Sequence, residues 1–181
     1  MLRFLTAGES HGPTLTAILE GMPAGLALDA EYINTELARR QTGYGSGGRM
    51  NIERDEIHIS AGVAAGTTTG APLALWVENR DYKNWREKDI PPMTTPRPGH
   101  ADLTGAIKYG YRELRIALER ASARETTMRV AVGAVCKKLL AEFGIVIGGY
   151  VVQIGGVSVA LDPALTYEQR FTAAEASDVR C

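Results

Sequence analysis

Residues 122–144 read SARETTMRVAVGAVCKKLLAEFG and predict a buried helix. Ser122 and Glu125 stand three residues apart, which is the spacing of a capping box at a helix N-terminus. Residues 130–136 offer no polar face, and a helix that is apolar nearly all round is buried on several sides. Gly144 occupies the position at which helices commonly end. This stretch therefore predicts a central helix that other layers of the fold must cover.

Strand and helix patterns lie on both sides of this stretch. Residues 14–20 alternate apolar and polar side chains and carry threonines, which predicts a strand. The other predicted strands are residues 2–6, 71–77, parts of 145–161, and a hairpin of 50–52 with 57–59 around Arg54 and Asp55. The other predicted helices are residues 31–41 capped by Asp29, residues 102–118 interrupted at Gly110, and residues 167–176. Paired strands around a buried helix predict the α+β class, with sheet layers covering the helix.

Composition limits the class of protein. The chain has 181 residues, of which 45% are hydrophobic and 23% charged, as in a soluble globular domain. Its net charge of -1 argues against nucleic-acid binding through bulk positive charge. The two cysteines form neither a disulfide framework nor a metal-ligand spacing, so we expect a cytoplasmic protein without a metal site. The sequence also lacks the run of about 18 apolar residues that a membrane span needs, so no membrane partner is expected.

The loop Gly8-Glu-Ser-His-Gly12 has three interpretations. It matches the Gly-x-Ser-x-Gly elbow of serine hydrolases, with Ser10 as nucleophile, although the elbow requires a helix after it and a strand is predicted here. It also fits a polar hairpin loop without chemistry. A third interpretation makes His11 a general acid or base, because flanking glycines let a substrate approach the imidazole closely.

Arginines flank glycine-rich or proline-rich loops at three places. Arg40 precedes and Arg49 follows the glycine-rich residues 43–48, which suits a phosphate or carboxylate but also an ordinary helix C-terminus. Arg97 and His100 share a Pro-Gly turn, in which the histidine is either an acid/base or an exposed turn residue.

Arginines also surround the predicted start of the central helix. A helix N-terminus attracts anions, and a capping box accounts for Ser122 and Glu125 but not for Arg120 and Arg124. Together with the other arginines and the histidines, they favour a polyanionic substrate handled by histidine acid/base chemistry. His58 alternates with two isoleucines and is predicted to be a surface residue of a strand.

Five motifs in one order resemble the chorismate synthase family. They are Gly8-Glu-Ser-His-Gly with Glu20-Gly-Met-Pro-Ala-Gly25, Thr68-Thr-Gly-Ala-Pro72, Glu78-Asn-Arg-Asp-Tyr82, Arg97-Pro-Gly-His-Ala-Asp102, and Glu119-Arg-Ala-Ser-Ala-Arg-Glu-Thr126 with Val132-Gly133. The resemblance covers residues 1 to about 160. It implies that residues 1–181 are the N-terminal portion of a single chorismate synthase domain whose C-terminal portion is absent.

The resemblance implies a fold and a reaction. The fold is a β-α-β sandwich with buried central helices, assembled as a homotetramer. The reaction is the anti-1,4-elimination of phosphate from 5-enolpyruvylshikimate 3-phosphate, which gives chorismate. It requires reduced FMN without net redox change, and NADPH is a candidate reductant. The enzyme is thus a carbon–oxygen lyase of aromatic amino-acid biosynthesis.

The resemblance also implies roles for single residues. His11 would protonate the departing phosphate, and His100 would protonate the reduced flavin near N1. The residues implied for substrate binding are Arg40, Arg49, Arg97 and Arg124. The residues implied for FMN binding are Arg120, Ala121 and Ser122.

One departure from the family concerns the glycine-rich loop. Many relatives carry an arginine where this chain has Ser46, so one phosphate contact is missing. Two alternatives to the lyase remain. One is an inactive fragment of the fold that lacks the C-terminal half of the site, and the other is a serine hydrolase that uses Ser10.

Overall fold

The computed structural model describes residues 1–42 and 54–181. Arg49, Ser46, the glycine-rich residues 43–48 and residues 50–52 of the predicted hairpin lie outside the described residues. The strands are β1 Arg3–Ala7, β2 Thr14–Glu20, β3 Ile57–Ala61, β4 Val63–Ala64, β5 Thr67–Thr68, β6 Leu73–Glu78, β7 Gln153–Ile154 and β8 Val157–Ser158. The helices are α1 Ala30–Gln41, α2 Tyr82–Trp85, α3 Asp102–Tyr109, α4 Arg115–Ala121, α5 Thr126–Ala141 and α6 Tyr167–Glu175.

The largest sheet is antiparallel and has four strands in the order β1-β2-β6-β3. Leu15 lies opposite Val77 and Leu19 opposite Leu73, and all four side chains are buried. Because side chains alternate across a strand, these residues form one apolar face of the sheet. The strand that the alternation of residues 14–20 predicts is therefore confirmed as β2.

Helices α5 and α1 cover that apolar face. Met128 and Val135 of α5 are fully buried against the sheet residues, and Ile33 and Leu37 of α1 belong to the same core. Asp29 caps α1 by accepting a hydrogen bond from the backbone N–H of Tyr32 at 2.8 Å, as predicted. The α+β class is confirmed, and α5 is the central helix that the sequence predicts.

The predicted capping box at Ser122 is wrong. The Ser122 side chain accepts from the N–H of Arg124 at 3.4 Å and caps a short 3₁₀ turn, after which α5 begins at Thr126. The carboxylate of Glu125 accepts instead from the hydroxyl of Thr6 and from Arg129 at 2.8 Å. A charge-assisted bond and a strand partner 119 residues away outcompete the local contact that the sequence pattern indicated.

The segment 145–161 contains strands, as predicted. Its strands are β7 and β8, of two residues each, which pair with one another across a turn at Gly155, whose φ is 59°. Glycines interrupt the apolar run and shorten each strand. The helical prediction for 102–118 is confirmed as α3 and α4, separated at Gly110 in the left-handed conformation. In the described part of the chain no helix is long and apolar enough to cross a membrane.

Candidate functional site

The loop between β1 and β2 carries His11 and is held from both ends. The side-chain amide of Asn79 donates to the carbonyls of Glu9 at 3.1 Å and Gly12 at 2.7 Å. Gly8 has a φ of 112°, and a Cβ there would lie 2.5 Å from the carbonyl oxygen of Thr14, so only glycine fits. The loop is therefore a defined structure rather than a loose connection.

The hydrolase interpretation does not agree with this loop. Ser10 is 2% exposed, and its backbone N–H donates to the carbonyl of Glu119 at 3.0 Å. The strand β2, not a helix, follows the loop. A nucleophile elbow holds its serine exposed on a turn from strand into helix, and Ser10 has neither property.

His11 is bound by one carboxylate. Its Nδ1 lies 2.8 Å from Oε1 and 3.0 Å from Oε2 of Glu119, and its backbone N–H donates to Oε2 at 2.8 Å. The imidazole packs against the indole of Trp85, with ring centroids 3.8 Å apart and the ring planes tilted by 34°. Two contacts of different kinds therefore fix the orientation of the ring.

Two cavities adjoin at Glu9 and Glu119, which line both. The smaller has a volume of about 250 Å³ and is also lined by His11 and Trp85. The larger, of about 780 Å³, lies between α3 and α4 and is within the size range of small-molecule sites. Its lining includes Lys108, Tyr109, Tyr111, Arg115, Arg120 and Ala121.

His100 lies beside an ion pair between the exposed Arg97 and the buried Asp102. Arg97 donates from Nε to Oδ2 of Asp102 at 2.8 Å and from Nη2 to Oδ1 at 2.9 Å. The Nδ1 of His100 is 3.0 Å from that Oδ1 and 2.9 Å from Nη2 of Arg97. The hydrogen bonds from Arg97 hold the pKa of Asp102 far below its usual range, and the same bonds raise the pKa of Arg97. His100 thus sits against a carboxylate whose pKa is well below its usual range. Its neighbour Ala101 lines the larger cavity.

Arg40 and Arg124 share the buried carboxylate of Asp55. Arg124 pairs with Oδ1 of Asp55 through Nη1, and Arg40 approaches Oδ2 at 3.4 Å. Arg40 also donates to the carbonyl of Ala123 at 3.0 Å and to Thr126 at 3.1 Å, and burial lowers its pKa. Two guanidinium groups thus share one carboxylate.

Arg120, Ala121 and Ser122 end α4 beside the larger cavity. The Nη2 of Arg120 donates to the carbonyl and the hydroxyl of Thr6, both at 2.9 Å, and Nη1 lies 3.3 Å from Glu125. Arg120 and Ala121 line the cavity, whereas Ser122 caps the 3₁₀ turn. The described structure thus brings Arg120 and Ala121 to the cavity that also contacts Glu119.

Several buried polar residues received no role from the sequence. They are Asp55, Asn79 and Asp102, and the partly buried Glu119 belongs with them. Little in the sequence indicates their roles, because the sequence of a motif does not show whether a polar side chain points into the site or into water. His58, by contrast, is exposed on β3 and stacks on Trp76 at 3.9 Å, as its alternation predicted. In residues 1–42 and 54–181, His, Cys, Asp and Glu side chains form no group able to hold a metal ion.

Comparisons with known proteins agree on one family. The family model for chorismate synthase matches residues 2–181. The chorismate synthase of Caldanaerobacter subterraneus is 64% identical over 155 residues, which cover 86% of this chain and 44% of that protein. The chorismate synthase of Geobacillus kaustophilus is 56% identical over 191 residues, which cover 99% of this chain and 49% of that protein.

A solved structure gives the same result. A crystal structure of a chorismate synthase superposes with a TM-score of 0.79 at 49% sequence identity, covering 99% of this chain and 48% of that one. The chain therefore spans about half the length of the relatives that it matches. Motifs, fold and similarity along the whole chain lead to one conclusion: the chain belongs to the chorismate synthase family.

Proposed function

We propose that this chain supplies the histidines and anion-binding side chains of a chorismate synthase site, as the N-terminal portion of a single domain. The reaction is the anti-1,4-elimination of phosphate from 5-enolpyruvylshikimate 3-phosphate. The C3–O bond and the C6–H bond break, and chorismate, phosphate and a proton result. One observation carries the proposal: His11 lines one of two adjoining cavities and Ala101, next to His100, lines the other, with each imidazole against a carboxylate.

His11 would act on the leaving group. A proton given to the departing phosphate neutralises the charge that develops on its oxygen, and histidine is the side chain best suited to this transfer near neutral pH. The cavity at His11 also contains the cation of Arg86 and the apolar side chain of Ile90. A positive charge beside a partly apolar wall suits an anionic group that must lose some of its water.

We assign the larger cavity to reduced FMN. Its lining combines the aromatic rings of Tyr109 and Tyr111 with the cations of Arg115 and Arg120, which suits a flat ring bearing a phosphate. When bound, reduced FMN supplies electron density that eases C–O cleavage and recovers it afterwards. NADPH is the reductant that we propose for the flavin.

Contacts with the cofactor would come from α4 and from His100. Arg120, Ala121 and Ser122 would contact the flavin, and His100 would hold a proton near its N1. Asp102 would keep the His100 imidazole oriented, because the hydrogen bonds from Arg97 keep that carboxylate ionised.

Substrate carboxylates and phosphate would meet the arginines. Arg40 and Arg124 pair with the two oxygens of the Asp55 carboxylate, and they would present their guanidinium groups to an anionic group of the substrate. Arg97 is the most exposed of the described candidates, with 44% of its side chain accessible. Arg49 lies outside the described residues, and its role rests on the family resemblance.

The test is a chimera in which residues 1–181 replace the matching half of the Geobacillus kaustophilus chorismate synthase. The purified chimera is incubated anaerobically with reduced FMN and 5-enolpyruvylshikimate 3-phosphate, and chorismate and phosphate are measured together. We expect equal amounts of both products. The remaining half of the relative alone is the control. A chimera that folds, as judged by circular dichroism, but forms no chorismate would contradict the proposal.

Assembly and location complete the proposal. Leu5 and Ile18 are opposite one another on the sheet face turned away from α5, and both are exposed, which supports a homotetramer that covers apolar surface. Light scattering on the chimera would give its mass. Free Cys136 and Cys181 suit a reducing cytoplasm, which cell fractionation would test.

A further inference from the structure

We propose that Glu119 is a positioning residue that fixes His11 in the tautomer with its hydrogen on Nδ1, so that Nε2 is the nitrogen that gives and takes protons. The use of Nε2 as an acid rests on the proposed function. The tautomer itself does not, and it can be measured without any turnover.

The hydrogen-bond count at Glu119 requires this tautomer. A carboxylate has only acceptors, and the backbone N–H of His11 is always a donor. That N–H takes Oε2 at 2.8 Å, while the ring nitrogen Nδ1 lies 2.8 Å from Oε1. Nδ1 must therefore carry a hydrogen, since a bare nitrogen would put two lone pairs against each other.

The contact is built into the fold. The carbonyl of Glu119 accepts from the N–H of Ser10 at 3.0 Å, so backbone and side chain of one residue bind two consecutive residues of the loop. The Glu119 side chain is only 14% exposed. The His11 ring, its partner, packs against the indole of Trp85. A surface ion pair has no such support from both sides.

The geometry gives the two ring nitrogens different properties. A protonated His11 that releases its Nε2 hydrogen keeps its bond to Glu119, whereas release from Nδ1 would break it. His100 differs, because its Nδ1 faces both a donor, Nη2 of Arg97 at 2.9 Å, and an acceptor, Oδ1 of Asp102 at 3.0 Å. The carboxylate alone does not decide the tautomer there.

The decisive variant is Glu119→Gln, which keeps the size of the side chain but replaces one of its two acceptor oxygens with an NH₂ donor. The amide oxygen must accept the hydrogen bond from the backbone N–H of His11, because that N–H can only donate. The amide NH₂ then faces Nδ1, which must become an acceptor. We therefore expect the variant to invert the tautomer to Nε2–H while the loop keeps its hydrogen bonds.

The measurement is ¹⁵N NMR of the imidazoles in the purified 181-residue chain, at a pH where His11 is neutral. His11→Gln assigns the His11 signals, and exposed His58 serves as an internal reference. We expect an excess of the Nδ1–H form of about tenfold or more in the wild type, the ratio that a charge-assisted hydrogen bond provides. Glu20→Gln, at the far end of β2, should change nothing.

Two results would overturn the proposal. One is a wild-type His11 that is mainly Nε2–H, which requires no variant to fold. The other is an Nδ1–H form that persists in Glu119→Gln.

A second readout separates positioning from mere structure in the chimera. Glu119→Gln should lower kcat by about 10- to 100-fold and leave KM within about threefold, and Glu119→Asp should restore part of kcat. An inverted tautomer with unchanged kcat would overturn the catalytic use of Nε2. If the wild-type chimera makes no chorismate, the proposed function fails, while the NMR result still decides the tautomer.

Discussion

Arg124 donates from Nε to the side-chain oxygen of Asn79 at 2.7 Å, and neither side chain faces solvent. Asn79 in turn binds the loop that carries His11. One amide therefore connects the shared carboxylate of Asp55, through Arg124, to the candidate acid. The loop that carries His11 and the buried charges of Arg124 and Asp55 therefore belong to one hydrogen-bond network.

Asn79→Ala should destabilise the fold by about 2–4 kcal/mol. The change removes two donors from the carbonyls of Glu9 and Gly12 and one acceptor from Arg124. Arg124 is buried, and leaving its donor unsatisfied costs about 1–3 kcal/mol. Glu9 and Gly12 are not buried, so each of their carbonyls adds only about 0.5 kcal/mol. Urea unfolding followed by circular dichroism gives the value. Asn84→Ala is the matched control, because its side chain is exposed and binds only the nearby Asp81 in a local contact, so a similar loss there would refute the reasoning.

Asp55→Asn should destabilise the fold by about 3–5 kcal/mol, because it leaves two buried guanidinium groups without their carboxylate. Glu87→Gln breaks the exposed pair with Arg86 and should cost no more than about 1 kcal/mol. Urea midpoints of the two variants can be compared directly. Equal losses would show that burial does not set the value of the Asp55 pair.

Asp102→Asn should make stability less sensitive to acid. The pKa of Asp102 is lowered in the folded state, so the unfolded state binds the proton more readily and the contribution is lost as pH falls. That contribution is complete above the ordinary aspartate pKa of about 4 and decreases below it. Between about pH 7 and about pH 2, the urea midpoint of the variant should fall less steeply than that of the wild type. Exposed Asp178→Asn should follow the wild type, and a variant curve parallel to the wild type would contradict the prediction.

His11→Ala and His100→Ala should each lower chorismate formation by the chimera about 10²–10⁴-fold, the usual effect of losing a general acid or base. Substrate and flavin should still bind within a few-fold, because most binding groups remain. Steady-state rates and anaerobic flavin titration measure the two effects separately. Turnover at the wild-type rate in either variant would remove that histidine from the mechanism.

Residues 1–181 alone should form no chorismate and should bind reduced FMN at least about a hundredfold more weakly than the chimera. The matched relatives are about twice as long, so the isolated chain lacks the contacts that their other half supplies. Loss of two charge-assisted hydrogen bonds, each worth about 1.5–3 kcal/mol, is sufficient for that difference. Anaerobic fluorescence titration provides the affinities. Robust turnover by the short chain would show that its site is complete.

Local patterns predicted the elements well, because each depends on neighbours in sequence. The alternation of residues 14–20 and the Asp29 cap of α1 depend on such neighbours, and both are confirmed. The capping box at Ser122 failed because Glu125 found a partner on β1, which no local pattern contains. The prediction of strands after Gly144 had no bounds, since the bounds depend on pairing partners that tertiary structure sets.

The candidate site was predictable in its charged and titratable residues but not in their partners. His11 and His100 were recognisable because histidines beside glycine are uncommon and chemically distinctive. Glu119 and Asp102 were not, since a carboxylate acquires its role only when folding places it 2.8–3.0 Å from an imidazole. The roles assigned to the histidines and arginines stay predictions.

The bond between His11 and Glu119 joins residues 108 positions apart in the chain. Ribosomes add about 5–20 residues each second, so roughly 5–20 seconds separate the synthesis of the two residues. Asn79 emerges between them and can bind the loop first, after β6 pairs with β2. During translation the contacts of Asn79 with the loop can therefore form before the partner of the His11 imidazole has been made.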